Sequence, residues 1–271
     1  MAGIAMKTAF ASGIPSGKRP RFDWDQIKFV HAFGDSYSFV YGTEGLANFS
    51  FIGDALHFSF TPQQLLSNEI VPKSTSSEGS NWLEFLTGCF EGKPSSCEKQ
   101  LWDFSFAGAD IDGNLLPLHS NFTVPLVDQV KQWLEFAADI IPHPVDQTLT
   151  TWWIGINDTG DTLNNSTITD FNEFWEVEMS SYFNAVQSAT NRGLRTHLFI
   201  NVPPEERSPS SLGNSTKASL VQTHINEFNA ILANHISVFK ASNPVMSFDA
   251  HAWFNKVLDN PIPYGFTNTT G

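Results

Sequence analysis

The amino-acid sequence predicts an α/β protein: a three-layer, flavodoxin-like fold on a parallel five-stranded sheet. Two observations carry this reading. Five short apolar runs are spaced along the chain, and three long stretches between them repeat apolar residues at helical spacing. Strands that alternate with helices fold into a parallel sheet covered by those helices, with ligands held beyond the carboxyl ends of the strands.

The elements follow in order. The first 26 residues or so are rich in Gly, Pro, Ser and basic side chains, lack periodicity, and are expected to be unfolded, so the folded domain spans residues 27–271. Ile27–Phe33 reads as the first strand, followed by a long surface excursion over Tyr41–Ser80 with a short helix at Pro62–Ser67. Such an excursion either shapes access to a site or is a packed irregular covering. Leu101–Phe106 is the second strand, and Val124–Ile141 is a helix capped by Thr123. Thr148–Ile154, Thr196–Asn201 and Val245–Phe248 are the remaining strands, separated by helices over Ile168–Gly193 and Thr216–Ser242. Asn191-Arg192-Gly193 is the stop signal of the first of those helices.

Composition narrows the function. The chain has 271 residues, enough for one sizeable domain, and 41% hydrophobic residues to fill its core. No apolar run approaches the ~18–20 residues that cross a bilayer. A net charge of −13 speaks against nucleic acid and anionic lipid, both of which are met by Lys/Arg patches. Most of the 24 Phe and 8 Trp are expected in the core, with a few Trp left to stack on sugar rings. Met1–Pro15 is interrupted by Lys7 and lacks the greasy segment of a secretory signal. Against that, Asn-x-Ser/Thr triplets stand at Asn48, Asn121, Asn164, Asn165, Asn214 and Asn268. Cys89 and Cys97 bracket a turn and either close a small disulfide loop or remain two buried thiols. We read a secreted-type monomer whose secreted form starts elsewhere.

The chemistry begins at Phe29-Val30-His31-Ala32-Phe33-Gly34-Asp35-Ser36, an apolar run that ends on Gly-Asp-Ser. A tight turn after a strand lifts a serine hydroxyl above the sheet and gathers N–H groups around it. Asp103-Phe104-Ser105-Phe106-Ala107-Gly108-Ala109 is a second strand-to-glycine exit, and Trp152-Trp153-Ile154-Gly155-Ile156-Asn157-Asp158 a third. In this order the three stretches resemble the first three blocks of the SGNH/GDSL esterase superfamily. Phe49–Asp54, Gly108–Asn114 and Asn201-Val202-Pro203-Pro204 are similar to fungal secreted acetylesterases in or near carbohydrate esterase family 16. The likeness runs from about Lys28 to the end of the chain. It implies that Ser36 is the nucleophile and that Gly108, Asn157 and the Ser36 N–H form the oxyanion hole. It implies no cofactor, and as substrate a small-molecule or polysaccharide ester, with acetyl on plant-wall sugars favoured.

The resemblance also implies a base that the sequence does not plainly provide. Leu258-Asp259-Asn260-Pro261 and Tyr264-Gly265-Phe266 match the family, but the chain stops at Gly271 before the expected Asp/Asn-x-x-His-Pro-Thr block. Among the eight histidines, His31 is expected in the core, His57 and His119 in loops, and His143 in a turn. His197 falls on a strand, and His224 and His235 on the last long helix. His251 follows the fifth strand beside Asp249 and is the internal candidate for the base, against a plain rim histidine. Two functions follow, an esterase acting through acyl-Ser36 or an impaired relative that binds sugar or ester. Lack of the closing segment predicts an exposed apolar patch beside the first strand and lowered stability.

Other constellations are weak. No ligand spacing suggests a metal, and nucleotide-binding loops are absent. Asp110 and Asp112 are read as turn-forming, with paired carboxylates for glycoside cleavage as the weaker alternative, and Asp35 is expected to brace the turn. The Asn157-Asp158-Thr159 triplet is expected to stay unmodified, because a glycan there would block the oxyanion hole.

Overall fold

The computed structural model describes residues 22–211 and 213–269. Most of the 26-residue segment expected to be unfolded therefore lies outside the described residues. Of the remainder, Trp24–Gln26 form a 3-10 turn capped by the Asp23 side chain.

The sheet has five parallel strands in the order β2-β1-β3-β4-β5. They are β1 (Phe29–Gly34), β2 (Gln100–Asp103), β3 (Thr148–Trp153), β4 (His197–Ile200) and β5 (Val245–Phe248). This is the flavodoxin-like order, and the connections between strands carry the helices α1 (Pro62–Ser67), α2 (Trp82–Thr87), α3 (Leu126–Gln132), α4 (Ile156–Asp161), α5 (Phe171–Arg192) and α6 (Ser215–Lys240). A last helix, α7 (Ala250–Asp259), follows β5.

Register sorts the side chains into two faces. Val30↔Leu149, Phe33↔Trp152, Thr150↔His197 and Trp152↔Phe199 are paired in parallel, so alternate residues of neighbouring strands share a face. One face presents His31, Phe33, Trp102, Trp152, His197 and Phe199. There Phe33 stacks on Trp152 with ring centroids 4.7 Å apart, Trp133 beyond α3 meets Phe33, Tyr182 and Phe183 of α5 meet Phe199, and Phe239 of α6 closes over His197. The other face carries Ala32, Asp103, Trp153, Ile200 and Phe248, and its β4–β5 half is covered thinly by Tyr37, Trp82 and Ala250. β1 is buried along its whole length. One group of exposed apolar side chains lies instead at β5, α7 and the turn after it, as Phe248, Trp253, Phe254 and Ile262.

Several boundaries differ from those the sequence predicts, each for a local reason. β2 ends at Asp103 rather than Phe106, because the Asp103 carboxylate turns the chain by accepting the Ser105 N–H (2.9 Å) and the Val40 N–H (2.7 Å). Thr123 does not cap α3. Its Oγ1 accepts the Ser120 N–H, and Pro125 stands at the cap. α3 widens after Gln132 into a π-helical turn, Trp133–Ala137, short of Ile141. α2 and α4 have only six residues each, too few to show a helical period. Cys89 and Cys97 form a disulfide, which excludes the two-thiol alternative. Asn48, Asn121, Asn164, Asn214 and Asn268 are exposed, Asn165 partly so.

Candidate active site at the carboxyl ends of the strands

The site is built from the exits of β1, β2 and β3. At the end of β1, Gly34 passes so close to β3 that an added Cβ would sit 2.1 Å from the Trp153 carbonyl oxygen. Only glycine fits there, which explains the first residue of Gly-Asp-Ser. Asp35 is buried and braces the turn as expected: its Oδ1 accepts the Tyr37 N–H at 2.9 Å, and its carbonyl accepts the Ser38 and Phe39 N–H groups. Burial pushes the Asp35 carboxyl up to about 8, partly offset by the Tyr37 N–H, with Asp158 adding repulsion.

Ser36 is half-buried and opens onto a depression of about 370 Å³ lined by Tyr37, Thr75, Ser76, Ser77 and Asn81. Asn81 ties this wall to the turn by donating from Nδ2 to the Ser38 and Phe39 carbonyls. The excursion over Tyr41–Ser80 thus supplies one wall of the depression through Thr75–Ser77.

Gly108 lies beyond β2 in the left-handed region, φ +82°, where glycine is favoured. Asn157 opens α4 beyond β3, and its Nδ2 donates to the Ala109 carbonyl at 2.8 Å, joining the second exit to the third. One Nδ2 hydrogen of Asn157 remains for another acceptor. Among the described residues, neither the Ser36 N–H nor the Gly108 N–H donates to a protein acceptor.

Two participants escaped the sequence reading. Gln129 of α3 is fully buried and spans the end of β1: its Oε1 accepts the Gly34 N–H (3.0 Å), while its Nε2 donates to the Gly34 and Val124 carbonyls (2.8 and 2.9 Å). His119 packs against Gly108, where an added Cβ would lie 3.4 Å from its own Cβ, and its Nε2 pairs with Asp161 Oδ2 at 2.5 Å. Neither has a motif, because each acts on a residue far away in sequence.

His251 opens α7 on the β5 side, three strands from β1. Its backbone N–H donates to Asn201 Oδ1, its Nδ1 meets Asn255 Nδ2 at 3.3 Å, and its Nε2 is 3.7 Å from Glu206 Oε1. Asp249 does not orient the ring; its carboxylate caps α7 and accepts from Asn201. His31 and His197 are buried core residues that accept Trp133 and Trp152 indole N–H groups, and burial pulls each down to about 3. Asp112 accepts from Asn114 and Ser181, as a turn residue does.

Beneath the site lie four buried carboxyls, Asp35, Asp110, Asp158 and Glu178. Glu178 lies near Asp158, and its carboxyl is pushed up to about 11 by burial first and by Asp158 second. Asp158 in turn accepts the Ile111 N–H at 2.9 Å, which fixes the strand-two exit.

A parallel sheet in this order, with Gly-Asp-Ser, a glycine exit and Gly-x-Asn-Asp on neighbouring strand ends, is the SGNH hydrolase fold. The chain belongs to the GDSL-like lipase/acylhydrolase family, whose model matches residues 30–271, and is a hydrolase acting on esters. An acetylesterase from Thermothelomyces thermophilus is 28% identical over 257 residues, covering 90% of this chain and 77% of that protein. An extracellular lipase from Streptomyces rimosus shares 14% identity at a TM-score of 0.44, over 84% of this chain and 82% of the lipase.

Proposed function

We propose that the protein hydrolyses short acyl esters of carbohydrates, acetyl foremost, through an acyl-Ser36 intermediate, and works outside the cell. The observation that carries the reading is the pair of unspent N–H groups on Ser36 and Gly108, beside the Asn157 amide. When Ser36 Oγ attacks the ester carbonyl, the developing oxyanion needs preorganised donors, each worth ~2.7–4 kcal/mol. Those three donors are offered at adjoining strand ends. The depression beside Ser36 is lined by Tyr37, Thr75, Ser76, Ser77 and Asn81, whose hydroxyls and amide can meet a polyhydroxy alcohol. The acetylesterase likeness supports the acetyl group. The disulfide and the exposed Asn-x-Ser/Thr sites fit an extracellular setting.

The Ser36 proton needs a base, and His251 is the proposed one. Among the described residues no histidine is hydrogen-bonded to Ser36, which favours a second reading, a weakly active relative that binds the ester. Hydrolysis of a chromogenic acetyl ester by the chain and by Ser36→Ala decides between them. The esterase reading expects turnover that falls by about three orders of magnitude or more in the variant. Equal rates from two folded proteins would overturn the acyl-serine mechanism. A further fall with His251→Ala would assign the base, and an unchanged rate would remove His251 from it.

A further inference from the structure

Asp110 follows the Gly108 exit and exposes only 1% of its surface, yet neither of its carboxylate oxygens has a hydrogen-bond partner. A carboxylate shut away from water and left unpaired is strongly unfavourable. The ion pairs among the described residues give it no Lys or Arg. What it does face is the half-exposed pair His119 and Asp161: a carboxylate oxygen from each aspartate and a ring nitrogen of His119 lie within 4.8 Å of one another.

We propose that Asp110, His119 and Asp161 bind a divalent transition-metal ion of the zinc or manganese class beside Gly108. The donor set, one imidazole and two carboxylates, suits borderline metals, whereas calcium and magnesium favour oxygen alone. Bonds of ~2.1 Å hold ligand atoms at most ~4.2 Å apart, so the three atoms need to close only slightly. The two outer ligands have room for that, since the His119 and Asp161 side chains are each 37% exposed, while Asp110 is the fixed anchor. The His119–Asp161 hydrogen bond opens as the ion enters, and the ion gives Asp110 the counter-charge it lacks. Remaining coordination positions would be left to water, since His119 and Asp161 are half-exposed. The site stands whether or not Ser36 is a nucleophile.

The test is calorimetric titration of the whole chain, stripped with a chelator and dialysed at neutral pH, with zinc chloride and separately with manganese chloride. One site per chain is expected, with a matching rise in melting temperature. His119→Gln and Asp161→Asn each change a half-exposed side chain and should leave the fold intact by circular dichroism. Loss of a second-sphere partner typically weakens a metal site 10- to 100-fold, so removing a direct ligand should cost at least about tenfold. Asp110→Asn, a neutral isostere, should abolish the site. Zinc held loosely at the surface pairs His57–Asp54 and His235–Glu176 would survive all three changes. The proposal fails if neither ion gives heat or a melting shift, or if the affinity is the same in His119→Gln and Asp161→Asn.

Discussion

The two faces of the sheet are packed very differently, although the same strands supply both. On one, α3, α5 and α6 lay rings over rings, with Phe33, Trp152, Phe199 and Tyr182 all essentially buried. On the other, the β5 end is left to Phe248, 44% exposed, and Trp253, 42% exposed, with ring centroids 6.4 Å apart. β5 itself passes from the partly buried Val245 and Met246 to the exposed Ser247 and Phe248, and Ala250 is the one fully covered residue of α7 among those described. The closed face holds the strand ends in place, and the open face carries His251. Stability is thus concentrated where Ser36 is positioned and is thin where the proposed base sits.

That contrast can be broken at its strongest point. Trp152→Ala removes the ring at the centre of the closed face and should cost about 3–5 kcal/mol in urea unfolding. A loss below about 1 kcal/mol would mean the ring stack is not the core it resembles.

Gln129→Leu should come next. It leaves the buried Gly34 N–H unpaired, at about 1–3 kcal/mol, while the Gly34 carbonyl keeps the Phe106 N–H. Turnover of an acetyl ester should fall more than stability does, because the groups lost are those that fix the Ser36 turn. A variant as active and as stable as the parent would detach α3 from the site.

The titratable core sharpens the comparison through pH. Burial pushes Asp35 up to about 8 and Asp103 up to about 7, so between about pH 4 and those values the unfolded chain has released protons that the folded chain keeps. Stability therefore falls as pH rises through that window. His31 and His197, on the closed face, are pulled down to about 3, so below about pH 6.5 the unfolded chain binds protons the folded chain refuses, and stability falls toward acid. The melting temperature should peak in mildly acidic buffer. A steady rise up to pH 8 in scanning calorimetry would contradict the Asp35 and Asp103 assignments, and stability undiminished below pH 6 the two histidine assignments.

The smallest effect belongs to the open face. Trp253→Ala should shift stability by no more than about 0.5 kcal/mol, yet lower the fluorescence of a bound hydrophobic dye, since the removed ring is exposed. Unchanged dye binding would move the patch elsewhere.

Much of this was legible in the sequence because it is local. Gly34-Asp35-Ser36, Gly108 and Gly155-Ile156-Asn157 are short signals of backbone shape, and the alternation of apolar runs with helical periods sets the sheet. What was hidden depends on the fold bringing distant residues together. Gln129 looks like any polar residue on an amphipathic helix until α3 docks against β1. His119 sits in an unremarkable loop until the β2 and β3 exits converge and set it beside Asp161. Asp103 ended β2 early because its carboxylate accepts the Ser105 and Val40 N–H groups, a choice that no strand propensity records.

The Gln129 clamp has a kinetic consequence. Its amide imitates a neighbouring strand, presenting an acceptor to the Gly34 N–H and a donor to the Gly34 carbonyl, but it is carried on a helix. The residue before Asp35-Ser36 is thereby fastened to α3, so its hold depends on that helix staying docked rather than on a strand ladder. The Gly34 amide should then exchange with deuterium at the rate α3 undocks, faster than the amides of β3 behind it. Loosening of α3 alone would free the turn that carries Ser36.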